Sequence, residues 1–360
     1  MNLLIIEDDK PTIQSYIDNI ESFNKNSDVE IIPEIIENLI EAKNSLLSPN
    51  YDAAIIDLKL SSNSVELEGL EIVDEIQEKL RFPMFIVSGS LGQVDREESA
   101  FFKKRSRDGD FKEILNEIVG IYKTGVTNIL GSKGTIEEYL NSIFWNHMSN
   151  SMDLWINDDS RNPQEKEKSL LRYTLLHMQE YIDEELEKYH PSEFYITKPI
   201  KQNLFTGDIV ELENTRYIIL TPSCDIVLRP DGKRNADFIL FCRIKPLSDL
   251  VENYGLLRHD TSTNNDNRRR IVRFFENKNQ KYHFIPKADS IEPGLIDFQE
   301  KITIPNSEVE ALLKANKILR LATVSQPFLK DIISRYSNYY SRQGSPDFDP
   351  DEIYNSIFQP

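Results

Sequence analysis

The sequence has little cysteine and no long apolar run. Only Cys224 and Cys242 occur among 360 residues, and nothing resembles a disulfide framework, which is typical of a reducing compartment. No stretch approaches the length needed to span a bilayer. The first residues lead directly into an apolar strand pattern without the profile of a signal peptide. We therefore expect a cytoplasmic protein that makes no membrane contact.

Positive charge is also scarce relative to negative charge. The formal net charge is -18, which argues against a general nucleic-acid binder because such proteins must neutralise phosphates. With 39% hydrophobic and 28% charged residues, the composition is that of a soluble globular protein. The length allows two or three domains, each with its own core.

Residues 1–123 alternate between short apolar runs and amphipathic helical patterns. The runs that predict strands are LLII (3–6), VEIIP (29–33), AAII (53–56), MFIV (84–87) and AFF (100–102). The patterns that predict helices span 10–23, 38–47, 70–80 and 111–122, with a short polar helical turn after MFIV. This alternation predicts a doubly wound, five-stranded parallel α/β sheet, which binds ligands at the carboxyl ends of its strands.

Polar side chains stand where four of these runs end. Glu7 and Asp8 follow LLII, Asp57 follows AAII, Ser88 follows MFIV, and Lys104 comes shortly after AFF. We expect all of them to meet at one edge of the sheet. The carboxylates there would hold a hard divalent cation through oxygen ligands. The hydroxyl and the ammonium would stabilise a phosphoryl group on one carboxylate.

A simpler interpretation of the acids is that they cap the first helix, where negative charge suits the helix dipole. That interpretation explains the acidic run at 7–9 but leaves Asp57, Ser88 and Lys104 without a common role.

In this order, IIEDD, AAIIDLKL, FIVSGS and AFFKKR resemble the CheY-like receiver domain of two-component response regulators. The resemblance covers about the first 123 residues. It implies that Asp57 accepts a phosphoryl group from a sensor histidine kinase or a small acyl phosphate, and later loses it by autodephosphorylation. It also implies one Mg²⁺ ion and a set of site residues. These are Glu7, Asp8, Asp57 and the backbone carbonyl of Lys59 for the metal, Ser88 for a phosphoryl oxygen, and Lys104 for pairing with the phosphate.

The chain departs from the family pattern beside the phosphorylation site. The segment from Asp57 to Gly69 is longer than usual and lacks the usual proline, so its loop should be enlarged. The segment from Ser88 to Lys104 is shorter, so the fourth helix should be stunted. Receivers normally dimerise and signal through the face near that helix, and this mode of output is therefore in question.

Near the fifth strand, Arg105 stands where the family has a proline, and Phe101 stands at the place of an aromatic switch residue. Lys103 competes with Lys104 for the phosphate-pairing role, and the strand pattern favours Lys104.

Residues 124–200 form a predicted helical connector, with helical patterns at 135–156 and 164–189. In the second pattern, one apolar stripe recurs at steps of three and four: Leu171, Leu175, Met178, Ile182 and Leu186. The stripe is either intramolecular core or a surface for a homodimer or another protein partner. His177 and His190 lack the accompanying ligand spacing of a metal site.

Within residues 201–345 the apolar pattern changes to one that is typical of β-strands. The expected strands are 207–212, 216–221, 237–244, 281–286, 301–305 and 317–324, which predict a mostly β, small barrel-like domain. A charged helical insertion at 245–280, a helix near 327–340 and a poorly ordered acidic tail at 346–360 complete the prediction. GDIVEL and RYIILTPSCDIV faintly resemble the barrels of MazF/PemK-like toxins.

Two features of this region are candidate functional groups. Cys224 in TPSCDI stands beside a carboxylate, although cysteines are more often buried for structural reasons. The cluster from Arg268 to Arg273 has four arginines that either contact an anionic partner or pair with the abundant acids of the chain.

The first functional hypothesis is a response regulator whose output is protein interaction and not DNA binding. A second is a phosphate-sink regulator that drains a stress or antiviral (phage-defence) phosphorelay. A third is a receiver-gated effector with an RNase-like barrel. No conventional enzyme motif is present, and nucleic acid is not an expected partner.

Overall fold

A computed structural model of the chain describes residues 1–47, 50–60, 68–89, 91–182, 188–229, 234–251, 254, 266–288, 291–341 and 347–359. The chain divides into two compact units, Met1–Leu186 and Glu187–Pro360, which are described separately below. No helix in these ranges is both long enough and apolar enough to cross a membrane.

The first unit is built on a parallel sheet of five strands. These are β1 (Asn2–Ile6), β2 (Ile32–Ile36), β3 (Ala53–Ile56), β4 (Met84–Ser88) and β5 (Phe102–Ser106). They follow the order β2-β1-β3-β4-β5 with every pairing parallel, which is the flavodoxin-like order of doubly wound folds. The predicted α/β class is confirmed.

Helices cover both faces of this sheet. They are α1 (Lys10–Asn24), α2 (Leu39–Ser45), α3 (Glu68–Lys79), a 3₁₀ turn (Leu91–Gln93) and α4 (Phe111–Tyr122). One apolar cluster joins the sheet to α1 and α4, and a second joins it to α2 and α3. The central strands β1, β3 and β4 are thus buried on both sides, which is why they read as continuous apolar runs.

The two edge strands differ from the sequence prediction. The apolar run at 29–33 predicts β2 too early, because the strand spans Ile32–Ile36 and contains Pro33. An edge strand tolerates a proline, since one side of it needs no ladder hydrogen bond. The run at 100–102 likewise predicts β5 too early, because only Phe102 of Phe102–Ser106 is buried. An edge strand needs few apolar residues, so its apolar run is a poor guide to its position.

The segment between β4 and β5 has the predicted stunted helix, which is a single 3₁₀ turn. The predicted enlarged loop after Asp57 falls partly on residues 61–67, which lie outside the described residues.

A helical region completes the first unit. It contains α5 (Val126–Leu130), α6 (Thr135–Ser142), a π-helical segment (Ile143–Met148), α7 (Ser149–Ile156) and α8 (Pro163–Ile182). The first predicted stretch is present as α6 through α7, with a π-helical segment between them. The second is helical over Pro163–Ile182; its predicted end is too late because residues 188–189 are not helical, and 183–187 lie outside the described residues.

The second unit is built on an antiparallel sheet of seven strands. In chain order they are β6 (Tyr195–Ile196), β7 (Asp208–Leu212), β8 (Thr215–Ile219), β9 (Phe238–Pro246), β10 (Tyr282–Ile285), β11 (Gly294–Pro305) and β12 (Ile318–Val324). The sheet order is β10-β11-β9-β8-β7-β12-β6. Its helices are α9 (Ser223–Ile226), α10 (Leu247–Leu250), α11 (Asp266–Phe275), α12 (Asn306–Lys314), α13 (Gln326–Ser341) and α14 (Pro350–Phe358).

This sheet is strongly curled. Tyr195 lies on one edge strand, and its hydroxyl donates to the carbonyl of Pro286, directly after the other edge strand, at 2.7 Å. Residues from both edges and from α13 share one apolar cluster. The barrel-like character that the sequence predicts is therefore visible in the contact between the two edges.

Two local features of the second unit follow from residue type. Glu213 and Asn214 both have positive φ (50° and 59°), which is the backbone of a two-residue type I′ hairpin between β7 and β8. The tail at 346–360, predicted to be poorly ordered, instead contains α14. Asp349 caps that helix by accepting from the N–H of Asp351, and Pro350 starts it, which is a favourable beginning for a helix.

Candidate functional site

The acidic residues meet at the carboxyl edge of the parallel sheet. Glu7 directly follows β1 and Asp57 directly follows β3, and the N–H of Asp57 donates to the carbonyl of Ile6 at 2.9 Å. Ser88 ends β4, the strand that pairs with β3. Adjacent strands thus end side by side and bring these residues to one edge.

Three carboxylates form a compact group there. One oxygen each of Glu7, Asp8 and Asp57 lies within 4.8 Å of the others. Glu7 and Asp57 are buried, with 1% and 5% of their surfaces exposed, and Oδ1 of Asp57 has no hydrogen-bond partner. A buried carboxylate oxygen without a donor is costly unless a cation or an electrophile occupies the space before it. Oxygen ligands of this kind fit Mg²⁺.

Arg107 supplies the positive charge at this group. Its Nη2 lies 2.9 Å from Oδ2 of Asp57 and 3.0 Å from Oε2 of Glu7. Its backbone N–H donates to the carbonyl of Ser88 at 3.4 Å, which fixes the residue at the ends of β4 and β5. One guanidinium therefore bridges the two buried acids.

Lys104 is not brought to the carboxylates, which corrects the sequence prediction. Its ammonium donates to the backbone carbonyls of Arg96 at 2.7 Å and Val94 at 3.3 Å. The cause is the position of β5. Because the strand starts at Phe102, Lys104 lies mid-strand in register with Ile86, and the first residue beyond the strand is Arg107.

The structure also places three other residues near β5 that the sequence singles out: Phe101, Lys103 and Arg105. Arg105 forms ion pairs with Glu98 and Glu117 on the surface of the first unit. Phe101, predicted as a switch residue, precedes β5 and is 50% exposed. Lys103 is in register with Phe85, three positions before the end of the strand.

The environment shifts the acidity of Glu7. Burial, followed by the neighbouring negative charge of Asp57, raises the pKa of Glu7 to about 7. Arg107 opposes this shift but does not cancel it. Without a cation, this carboxyl group is therefore protonated in part at neutral pH.

The helix-capping interpretation explains only one of the acids. Asp9 is the N-cap of α1, since its side chain accepts from the N–H of Thr12. Glu7 instead turns into the buried group, where Oε1 accepts from the N–H of Asp9 at 3.2 Å.

The backbone after Asp57 closes tightly on the start of α3. The N–H of Gly69 donates to the carbonyl of Leu58, and a Cβ at position 69 would stand 2.1 Å from the carbonyl oxygen of Asp57. Only glycine allows this approach. Lys59 lies two residues after Asp57 and is half-buried, and its role as a carbonyl ligand stays a prediction.

The candidate groups outside this edge do not form a comparable site in the described residues. Cys224 is exposed on the short helix α9, 3.7 Å from Oδ1 of Asp225, so it is not a buried structural cysteine. Arg268, Arg269 and Arg273 are exposed on α11. His177 contacts Tyr173 and His147 through ring packing, and His190 caps a 3₁₀ turn.

Arg107 is the site residue that the sequence analysis missed. The signal was present, because Arg107 directly follows a strand, as Glu7 and Asp57 do. It was obscured because the sequence pattern places β5 at 100–102, several residues before Arg107, whereas the strand ends at Ser106.

Comparisons with known proteins concern the first unit. No family model and no curated protein matches the chain. Three of the similar solved structures each align with about a third of it. The first is a CheY-like receiver domain of a response regulator from Methylobacillus flagellatus, with 21% identity over 33% of this chain and 98% of that chain and a TM-score of 0.27. The second is a two-component response regulator from Clostridium difficile, with 16% identity over 34% of this chain and 96% of that chain and a TM-score of 0.27. The third is the response regulator TrrA from Thermotoga maritima in complex with Mg²⁺-BeF, with 22% identity over 33% of this chain and 97% of that chain and a TM-score of 0.27.

The strand order and the position of the acids are observed directly in the structure of this chain. By that order, and by the carboxylates at the ends of β1 and β3, the first unit has the fold of a receiver domain.

Proposed function

We propose that the first unit is the phosphoryl-accepting domain of a two-component response regulator, with Asp57 as the acceptor and a sensor histidine kinase as the donor. The observation that carries the proposal is the environment of the Asp57 carboxylate. Its carboxylate is buried among two other acids, Oδ2 is held by Arg107, and Oδ1 has no hydrogen-bond partner. A small acyl phosphate would serve as an alternative donor.

The reaction needs few protein groups. An oxygen of Asp57 attacks the phosphorus, and a new O–P bond forms. The bond from phosphorus to the donor nitrogen or acyl oxygen breaks, and its electron pair leaves with the donor. Positioning and charge compensation account for most of the catalysis of such transfers. Arg107 keeps Asp57 in place and offsets the repulsion between the carboxylate and the incoming phosphoryl oxygens.

Glu7, Asp8 and Asp57 would hold Mg²⁺ in this proposal, with the carbonyl of Lys59 as a further ligand. When bound, the ion neutralises the acidic group and the transferred oxygens. Ser88, at the end of β4, would donate to a phosphoryl oxygen.

The output in this proposal is protein interaction in the cytoplasm. Phosphorylation would shift the receiver between two states, as charge-adding switches do. The net charge of -18 supports a partner other than nucleic acid.

Incubation with acetyl phosphate and Mg²⁺, read by intact mass, tests the proposal. The wild type should gain one phosphoryl group, and Asp57→Asn should gain none. Asp18→Asn changes an exposed acid of α1 and should behave as the wild type. Excess EDTA should suppress the gain in mass. An unmodified wild type, or an Asp57→Asn variant that is modified equally, would refute the proposal.

A further inference from the structure

Arg107 contacts the same oxygens that a divalent cation would use at the acidic group. Its Nη2 lies 2.9 Å from Oδ2 of Asp57, and 3.0 Å and 3.3 Å from Oε2 and Oε1 of Glu7. Both carboxylate oxygens of Glu7 are therefore beside the guanidinium. Of the oxygens of these two acids, Oδ1 of Asp57 alone has no hydrogen-bond partner in the part of the chain that the structure describes.

A cation bound by these carboxylates would stand close to that guanidinium. Mg²⁺ lies roughly 2.1 Å from its oxygen ligands. An ion held by either oxygen of Glu7 would therefore be within about 5.5 Å of Nη2 of Arg107. Positive charges at this separation repel each other in a largely buried group, because little water screens them. The contact of Arg107 with the acids thus opposes the cation that the same acids attract.

Phosphoryl transfer would also use both oxygens of Asp57. In the proposed reaction one oxygen bonds to phosphorus, and the other is left to face the cation. Oδ2, which Arg107 contacts in this structure, then belongs to one of these two partners. Arg107 consequently has to leave Asp57, or share its oxygen with a second positive group, when the reaction takes place.

Arg107 has a donor that a phosphoryl group could use. Its Nε is buried and has no hydrogen-bond partner among the described residues, whereas Nη2 is the atom that contacts the acids. Two N–H groups of an arginine match two oxygens of a phosphoryl group. The side chain is 33% exposed, which leaves it room to change rotamer. Its backbone N–H donates to the carbonyl of Ser88, the residue expected to bind the same phosphoryl group.

We propose that Arg107 couples the two ligands of this site. While no phosphoryl group is bound, its guanidinium stays on Glu7 and Asp57 and lowers the affinity for a divalent cation. When a phosphoryl group is bound as well, the guanidinium turns to the phosphoryl oxygens, whose negative charge relieves its repulsion of the cation. The first half of this inference needs only the acidic group, and the second half rests on the proposed phosphoryl-accepting function.

Mn²⁺ binding to the full chain, read by the electron paramagnetic resonance of the free ion, tests the first half without any phosphoryl donor. Arg107→Ala should bind Mn²⁺ about tenfold more tightly than the wild type, which is an ordinary size for coupling between two ligands. Arg105→Ala is the matched control, because it removes the same charge at a residue that pairs with Glu98 and Glu117. It should bind Mn²⁺ as the wild type does.

Two further variants locate the bound ion and guard against misfolding. Arg107→Gln removes the charge but keeps a donor for the acids, so it replaces Arg107→Ala if that variant does not fold, and it should also bind Mn²⁺ more tightly. Adding Asp8→Asn to either Arg107 variant should abolish the gain, because the ion then loses a ligand of the acidic group. Equal or weaker Mn²⁺ affinity in the folded Arg107 variants, or no binding in any of these proteins, would overturn the proposal.

Beryllium fluoride, which mimics a phosphoryl group on a carboxylate, tests the second half. It should tighten Mn²⁺ binding to the wild type, and this gain should be about tenfold smaller in Arg107→Ala. An equal gain in both proteins would overturn the exchange of partners. Failure of the proposed function has a different signature. A wild type that gains no mass with acetyl phosphate would refute phosphorylation, and tighter Mn²⁺ binding by Arg107→Ala would still support the opposition between Arg107 and the cation.

Discussion

At the scale of single residues, the most consequential contact is the guanidinium of Arg107 between two buried acids. Burial raises the pKa of Glu7, and the repulsion from the neighbouring carboxylate of Asp57 raises it further. Arg107 partly relieves it through contacts of 2.9 Å and 3.0 Å. The positive charge that contacts these acids therefore comes from the residue that follows β5.

Replacement of Arg107 by alanine should slow phosphorylation of Asp57 by about 100-fold, as expected when a preorganised charged donor is removed. Lys104→Ala should keep nearly the wild-type rate, because the ammonium of Lys104 is bound to carbonyls away from the acids. The initial rate of mass gain with acetyl phosphate measures both variants. A large loss in Lys104→Ala together with a normal rate in Arg107→Ala would contradict the assignment.

Gly69 offers a second test at this scale. Gly69→Ala places a methyl group against the backbone of Asp57, where nothing can yield easily, and should destabilise the first unit by about 1–3 kcal/mol. Gly120→Ala is the matched control, because a Cβ there meets nothing within 4 Å and the residue lies inside α4. It should stabilise by about 0.5–1 kcal/mol. The midpoints of urea unfolding measure the stability of both variants, and equal midpoints would contradict this prediction.

At the scale of elements, α13 is tied to β10 by an ionisable contact. Nε2 of His283, a buried residue of β10, lies 3.1 Å from Oδ2 of Asp331, and Arg335 reaches the same oxygen from one turn further along α13 at 2.7 Å. The contact with His283 and then that with Arg335 lower the pKa of Asp331 to about 2. The folded state thus favours the charged carboxylate.

The sign of the pH dependence follows from this shift. A lowered pKa in the folded state means that the stabilisation is present above the ordinary value of 3.8 and is lost as the pH falls towards about 2. Asp331→Asn should therefore weaken the pH dependence of unfolding between these values and lower stability at neutral pH. The effect should be modest because Asp331 is half-exposed. Unfolding curves at several pH values measure it, and an unchanged slope would count against the pairing.

At the scale of the whole molecule, the two units have separate cores. The two apolar clusters of the parallel sheet draw on residues that precede 122, and those of the curled sheet draw on residues that follow 193. The contacts that form the acidic site also lie within the first unit.

A fragment of residues 1–188 should therefore fold and accept a phosphoryl group at Asp57 at a rate close to that of the full chain. Circular dichroism and intact mass after incubation with acetyl phosphate measure the two properties. A folded fragment that no longer reacts would show that the second unit contributes to the site.

Much of this molecule could be predicted where burial is complete. LLII, AAII and MFIV are central strands that helices cover on both faces, so their residues must be apolar and the polar residue after each marks the sheet edge. In the second unit the hairpin at Glu213 and Asn214 and the strands around it were also predictable, because alternation and turn residues are local signals. The edge strands β2 and β5 were misplaced because only part of each is buried.

The sequence by itself determined the order of strands and helices and the three acids at the ends of β1 and β3, since these depend on which residues can be buried. Only the tertiary structure decided that Arg107 and not Lys104 faces those acids, because a shift of a few residues in an edge strand changes which side chain reaches the sheet edge. It also decided that Leu171, Leu175 and Ile182 of the apolar stripe are exposed, because helical spacing defines an apolar face but not what packs against it.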